Sequence, residues 1–432
     1  MSFRGKISIL ILSVTVALYA VIGGMLSPWA RAQQPINDSG AQLRIFGEVL
    51  QHIQNDYVDE PNLEKVRFGA LRGLAGGLDP YSSYLTPQQV AEFNSNKNSN
   101  KVGIGAEFSQ VSLYLYVVSV TKGSNAEKAG LKAGDVIEYI ENKATRDISL
   151  YDARQMIMGD AGTAVNLRVL RSGEKPQTLK VTRGNYKTPQ AEARVEPGKV
   201  GVIKVYSLED GEANDIRNQV QSLAKQGAQK IVLDLRGVAT GSLNEGVAVA
   251  NLFIKDGELA KVIGKDNKVL RTLTAEPGKA VFDGKMAVLI DLGTAGAAEV
   301  VASAILDRKR GEVIGERSFG SGTEQQLFTL RGGDGLLLTT AKWASASGTP
   351  FLGDDRATMG VKPSIEVKRP DTPEPLEVEE LIDRQEEQNQ NPQPAASPTP
   401  VKEPVKPAVE DIQLKKALEI LQDKAQAAKA GE

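Results

Sequence analysis

The stretch that decides the fold is "VLIDLGTAGAAEVVASAILDRKRGEVIGERSFGSGTEQQ", Val288 to Gln326. An apolar run, VLID, ends in a turn of small residues. The segment AAEVVASAIL then repeats apolar residues at helical spacing, and GEVIG is a second β-branched run. Strand, tight turn, helix and strand in this order build a sheet whose connections cross its faces as helices. The turn has the shape that presents a nucleophile at the start of a helix, yet Thr294 is its only hydroxyl.

The same alternation extends upstream through "KVGVIKVYS", "EANDIRNQVQSLAKQG", "KIVLDLRG", "SLNEGVAVANLFI" and "KMAVLID". It predicts an α/β core over residues 184–370, a parallel or mixed sheet covered by helices, entered through a linker from Gly184 to Pro197. Residues 99–183 change to short runs, "LYLYVVSV", "GDVIEYI" and "AVNLRVLR", broken by glycine turns, with a helical "SLYDARQMIM" between the last two. That pattern predicts an inserted, compact β-rich module. Residues 41–98 carry Leu43, Ile45, Phe46, Val49, Leu50 and Ile53 at helical spacing before the turn-rich "GLDPYSSYLTP", which predicts a region of two or three packed helices.

Beyond Pro370, residues 371–408 are polar and proline-rich and read as a disordered linker. Residues 409–430 return to helical spacing, with Leu414, Ala417, Leu418 and Leu421 on one face. An isolated helix of this length is marginal in water, so it is expected to dock on the body. At the other end, Arg4 and Lys6 precede a long apolar run, and Ala30 to Ala32 form a small-x-small site. Residues 1–32 are therefore expected to be an export signal or an uncleaved inner-membrane anchor, placing the remainder in the periplasm or another extracytoplasmic space.

Composition excludes several chemistries. The chain has no cysteine, which rules out disulfides, thiolate metal sites and a cysteine nucleophile. Its one histidine, His52, lies among apolar residues at helical spacing and reads as structural, so neither a histidine metal site nor a Ser-His-Asp triad is expected. No metal or other cofactor is anticipated. A formal net charge of -2 gives no reason to expect a nucleic-acid partner.

The segment "VGIGAEF", with "SNAEKAGLKAGDVIEYIENKAT" and "GTAVNLRVLR", resembles a PDZ domain of the kind found in bacterial proteases. In that reading Gly103, Ile104, Gly105 and Ala106 form the loop whose backbone N–H groups receive a peptide's terminal carboxylate, and the adjoining strand pairs with the peptide. From about Leu43 to Val367, and again at the last helix, the chain resembles the carboxyl-terminal processing peptidases, or tail-specific proteases. The matching stretches include "YVDEPNLEKVRFGALRGLAGGLDPYSSYL", "IVLDLRG", "NEGVAVANLFI" and "GDGLLLTTAKW".

The resemblance implies a serine nucleophile, a lysine general base and a glutamine that holds the lysine. A lysine serves as base once burial lowers its pKa. Family members read S-A-S-A-S-E at the turn and F-G-K-G-T at the following strand; this chain reads "TAGAAE" and "FGSGTEQ". The nucleophile position therefore holds Gly296, the base position holds Ser321, and Gln325 occupies the supporting glutamine's place. The interval from 296 to 321, 25 residues, fits the family spacing. Where the family reads D-L-R-N-N-P-G-G-L, this chain reads "DLRGVATGSL", leaving Thr240, Gly241 and Ala297 as candidate oxyanion-hole donors.

The expected function is thus an exported homologue of these peptidases that has lost proteolysis and binds unstructured protein C-terminal tails, or a partner peptidase. The competing expectation is an active serine- or threonine-type endopeptidase in which Thr294, Ser303 or Ser318 replaces the nucleophile and Lys309 or Lys342 the base. Against it, Thr294 is expected to cap the helix that starts near Ala297, and Lys309 belongs to a basic helix end. A purely structural envelope protein is the third class, to be separated by its indifference to a peptide's terminal carboxylate.

Overall fold

The computed structural model describes residues 14–15, 39–95, 100–370 and 410–427. The export signal or anchor, apart from Val14 and Thr15, and the proline-rich linker beyond Pro370 lie outside the described residues. Among the described residues no helix is long and apolar enough to cross a membrane. The chain divides into two compact units, residues 1–70 and 71–432.

In the first unit, α1 (Ser39–Asp56) has no buried residue, and α2 (Leu63–Gly76) begins here and continues into the second unit. His52 departs from its expected setting. Its ring is exposed and its Nδ1 lies 2.6 Å from Asp56 Oδ2 one turn along α1, so it pairs with a carboxylate instead of packing among apolar neighbours.

The second unit begins with β1 (Ser83–Leu85) and α3 (Pro87–Ser95). The inserted module follows: β2 (Ala106–Val111), β3 (Tyr114–Val120), the single turn α4 (Asn125–Lys128), β4 (Val136–Ile140), β5 (Lys143–Ala144), α5 (Leu150–Ile157), β6 (Ala164–Leu170) and β7 (Gln177–Thr182). Its strands form an antiparallel sheet in the order β2-β3-β4-β6-β7, with β5 on β4, so β2 is a free edge. Alternating residues of β6, Val165, Leu167 and Val169, are fully buried against α5. Ser149 starts α5 by accepting the Asp152 N–H at 3.1 Å while the Asp152 carboxylate takes the Ser149 hydroxyl at 2.8 Å.

The core continues with β8 (Glu192–Glu196), β9 (Val200–Lys204), α6 (Glu212–Lys225), β10 (Lys230–Asp234), α7 (Leu243–Asn251), β11 (Glu258–Ile263) and β12 (Val269–Thr274). It closes with β13 (Lys285–Ile290), α8 (Ala297–Asp307), β14 (Glu312–Gly315), β15 (Thr323–Thr329), β16 (Gly335–Ser345), β17 (Ile365–Glu366) and α9 (Ile412–Ala427). The main sheet runs β17-β14-β13-β10-β9-β8 and is parallel except for β8. The Gly184 to Pro197 segment read as a linker thus contains β8, an edge strand whose exposed Glu192, Arg194 and Val195 break the apolar alternation of a strand. A second, antiparallel sheet, β1-β16-β11-β12 with β15 on β16, was not anticipated; β1 lies in the turn-rich GLDPYSSYLTP stretch of the 41–98 region and joins it to this sheet.

Apolar runs in the central strands are buried on both faces, as parallel sheets require. Helices α6, α7 and α8 cover one face. On the other, Val200, Val202, Val232, Ala287, Leu289 and Ile314 pack against Ala417 and Leu421 of α9. The helix is also tethered by charge: the Arg236 guanidinium donates to Asp411 Oδ1 at 2.8 Å, to Asp411 Oδ2 at 2.7 Å and to Gln413 Oε1 at 3.1 Å. The same arginine holds Asp234 at the end of β10, so α9 is pinned to the strand that leads into the 237–241 loop.

Candidate active site

The turn between β13 and α8 is a sharp elbow. Gly296, its last residue, has φ 57° and ψ -113° and caps α8. This backbone region strains any L-residue, which is how an elbow pushes a side chain outward from a strand-to-helix corner. A Cβ built on Gly296 would lie 3.7 Å from both Ser321 Oγ and Trp343 Cζ3, ordinary contact distances. The elbow therefore keeps room for a side chain that the sequence does not supply, and position 296 faces Ser321 across it.

The elbow and the Ser321 loop are fastened by Glu299, which is fully buried. Its Oε2 accepts the N–H groups of Gly296 and Ser321, each at 2.8 Å. Its Oε1 accepts the Ser318 hydroxyl at 2.5 Å and the Gly320 N–H at 2.7 Å. Burial pushes the carboxyl pKa up to about 7, against the opposing pull of these four donors. Glu299 was quoted in the sequence motif without a role; its place at the third helical position, opposite a glycine cap, was the available signal.

Ser321 itself is half-buried and, with Ser109, acts on the phenol of Tyr81. Burial raises the Tyr81 phenol above its usual range, and these two serines oppose that rise. Gln325 is exposed; its amide donates to Thr323 Oγ1 at 2.5 Å and not to Ser321.

The candidate oxyanion donors flank the elbow. Ala295 N–H donates to Val238 O at 2.9 Å, drawing the 237–241 loop alongside. Leu208 N–H donates to Thr240 O and Leu208 O accepts the Ser242 N–H, so Thr240 contributes its carbonyl to a bridge. The N–H groups of Gly241 and Ala297 have no acceptor among the described residues.

Each displaced nucleophile is already engaged. Thr294 does not cap α8: its fully buried hydroxyl donates to Leu235 O at 3.0 Å and accepts the Asp291 N–H at 3.0 Å, because the cap position falls two residues later at Gly296. Ser303 donates within α8 to Val300 O at 3.2 Å. Ser318 accepts the Val361 N–H at 2.6 Å while donating to Glu299. Lys309 closes the far end of α8, and Lys342 projects from β16 into a cavity beside the elbow.

The inserted module lies over this elbow. Tyr116 stacks on Phe319 with centroids 5.8 Å apart, and Tyr116, Val118, Val136 and Leu170 form one buried cluster with Ala295 and Phe319. Burial pushes the Tyr116 phenol up to about 12, with Arg356 opposing it.

At the other end of the module, the Gly103 to Ala106 loop is shaped by acceptance of N–H groups onto its carbonyls. Gly103 O, Ile104 O and Gly105 O take Gly184, Ala126 and Thr121 respectively. The N–H groups of Gly103, Ile104 and Gly105 have no acceptor among the described residues. Gly105 has φ 84°, and a Cβ there would strike Ser124 Cβ at 2.3 Å, so the loop requires glycine. The free edge of β2 is partly closed by Arg154, whose Nη2 donates to Phe108 O at 3.0 Å. Among the described residues no group of three or more His, Asp or Glu is arranged to hold a metal ion.

Comparison with known proteins joins these parts. The profile of peptidase family S41 matches residues 199–367, and that of the PDZ domain matches residues 116–171. A probable CtpA-like serine protease of Staphylococcus aureus (strain MRSA252) is 31% identical over 83% of this chain and 70% of its own length. The carboxy-terminal processing protease CtpA of Bacillus subtilis (strain 168) is 30% identical over 76% of this chain and 69% of its own. Among solved structures, the photosystem II D1 C-terminal processing protease is similar with a TM-score of 0.62 and 26% identity, covering 77% of this chain and 87% of that one.

Proposed function

The chain belongs to the S41 family of carboxyl-terminal processing proteases and carries a PDZ domain; from that premise we propose that it is a non-proteolytic member, exported from the cytoplasm, that captures protein C-terminal tails. The observation that carries this reading is the joint content of the two facing positions. Gly296 offers no nucleophile, and the Ser321 hydroxyl is no general base at neutral pH. Support comes from the engagement of Thr294, Ser303 and Ser318 in buried hydrogen bonds to backbone and to Glu299, none of them to a lysine among the described residues.

Tail capture draws on the three open N–H groups of the Gly103 to Ala106 loop and on the edge strand β2. A peptide pairing with β2 exchanges the Arg154 side chain for its own backbone N–H at Phe108 O, a swap of one hydrogen bond for another. Export rests on Arg4, Lys6 and the apolar run that follows them. Fluorescence polarisation with an unstructured peptide bearing a free or an amidated C-terminus tests the reading. The free carboxylate is expected to bind more tightly, and equal binding of both forms removes tail recognition.

A further inference from the structure

Beside the elbow, where the end of β2 meets the core, lies a cavity of about 520 Å³. Ser109 to Ser112 line it from the PDZ side, and Phe319, Lys342 and Arg356 line it from the core. Its charged lining, Asp79 and Asp354 against Lys342 and Arg356, balances in number but is not paired. Arg356 stacks on the Phe319 ring with Cζ 4.3 Å from the centroid and donates through Nη1 to Phe319 O, but its Nη2 is buried with no hydrogen-bond partner. Neither Arg356 nor Lys342 forms an ion pair among the described residues. Burial lowers the Arg356 pKa, and the pull of Tyr116, Glu299 and Tyr81 does not reverse it; Glu299 is already engaged by four donors of its own and makes no ion pair with Arg356.

The acidic groups nearby do not answer it. The Asp79 carboxylate already accepts the Tyr81 N–H at 2.8 Å, the Ser82 N–H at 2.9 Å, the Ser82 hydroxyl at 2.8 Å and the Thr339 hydroxyl at 3.1 Å. Asp354 is exposed at the rim. A desolvated, unpaired guanidinium is costly, and a carboxylate from outside would relieve it through paired N–H donors.

The position of the cavity says where that carboxylate comes from. A tail whose end sits in the Gly103 to Ala106 loop can follow β2 only by running antiparallel to it. Its upstream residues then advance toward Val111 at about 3.4 Å per residue. Ser109 to Ser112 stand three to six positions beyond Ala106 in sequence.

We propose that this cavity receives an acidic side chain of the bound tail, about three to six residues upstream of its terminal carboxylate, so that Arg356 and Lys342 select tails carrying an internal acid. The inference rests on tail capture by the PDZ loop. The test uses the full-length chain and fluorescein-labelled ten-residue Ala/Ser peptides in which one glutamate is walked from two to seven residues before the end. Glutamine and C-terminally amidated counterparts complete the set.

Glutamate within the window is expected to bind about tenfold more tightly than glutamine, the scale of one charge-assisted contact. Arg356→Gln is expected to abolish that preference and Arg356→Lys to retain part of it, with circular dichroism confirming that both variants fold. A loss on amidation with no glutamate preference leaves tail capture standing and overturns the cavity assignment, as does a preference that survives Arg356→Gln. A glutamate preference lost in Arg356→Gln but indifferent to amidation leaves an acid site at Arg356 but overturns the proposal, because nothing then fixes the acid's distance from a captured terminus. No binding by any peptide overturns both.

Discussion

Replacing Gly296 by alanine isolates the backbone of the elbow from its chemistry. The new Cβ meets only Ser321 Oγ and Trp343 Cζ3, both at 3.7 Å, so crowding adds little. What remains is conformational: an L-residue at φ 57°, ψ -113° costs about 1–3 kcal/mol where the surroundings hold the geometry. The surroundings do hold it, through the Glu299 bond to Gly296 N–H and the Ala295 bond to Val238 O. Gly296→Ala and Gly296→Ser should therefore lower core stability by about 1–3 kcal/mol and by nearly equal amounts. Gly322→Ala, whose Cβ would meet Trp343 Cε3 at 2.8 Å with φ 116°, should cost more. The chain has two tryptophans, Trp29 and Trp343, so in a Trp29→Phe background urea unfolding followed by fluorescence reports the core beside the elbow. A cost below about 0.5 kcal/mol for Gly296→Ala would show that the backbone relaxes to negative φ and that the elbow is not held.

Two further outcomes follow from buried charge. Glu299→Gln keeps the shape but turns an NH2 toward an N–H or hydroxyl donor on one side, stranding it at a cost of about 1–3 kcal/mol. Because the folded Glu299 pKa is raised to about 7, the folded state binds the proton more tightly than the unfolded one. Its contribution is thus fully present below about pH 4.5 and lost as pH rises through 7, a slope that equilibrium unfolding should find in the wild type and not in Glu299→Gln. Asp411 behaves oppositely: partial burial works to raise its pKa, but Arg236 holds it below the usual carboxylate range. The docking of α9 it supports is present above about pH 4 and lost as pH falls through the folded value. Hydrogen exchange in α9 should accelerate there in the wild type, and Asp411→Asn should show fast exchange already at neutral pH.

The pattern of periodic runs carried the fold class because parallel strands buried on both faces leave a continuous apolar signature, as in KIVLD and KMAVLI. The second sheet was hidden because β1 is only three residues long and pairs with β16 across more than two hundred positions. At the site, the motif resemblance singled out positions 296 and 321, and a Cβ on Gly296 would lie 3.7 Å from Ser321 Oγ. Glu299 as fastener, Thr294 as a buried bridge to Leu235 and Arg356 as an unpaired cation were not legible. Each acquires its role from a partner on another strand or loop, which local spacing does not encode. His52 misled because helical spacing among apolar residues signals burial only when another surface covers the helix.

Whether this chain cuts peptide bonds is read most directly from cleavage of an unfolded polypeptide such as reduced casein by the purified protein beside its Gly296→Ser/Ser321→Lys variant. The wild type is predicted to give no cleavage above the buffer blank, while the double variant, and neither single one, gains activity because the serine and lysine act as a unit. Wild-type cleavage that persists through purification and vanishes on Thr294→Val, Ser303→Ala or Ser318→Ala would contradict the loss of proteolysis.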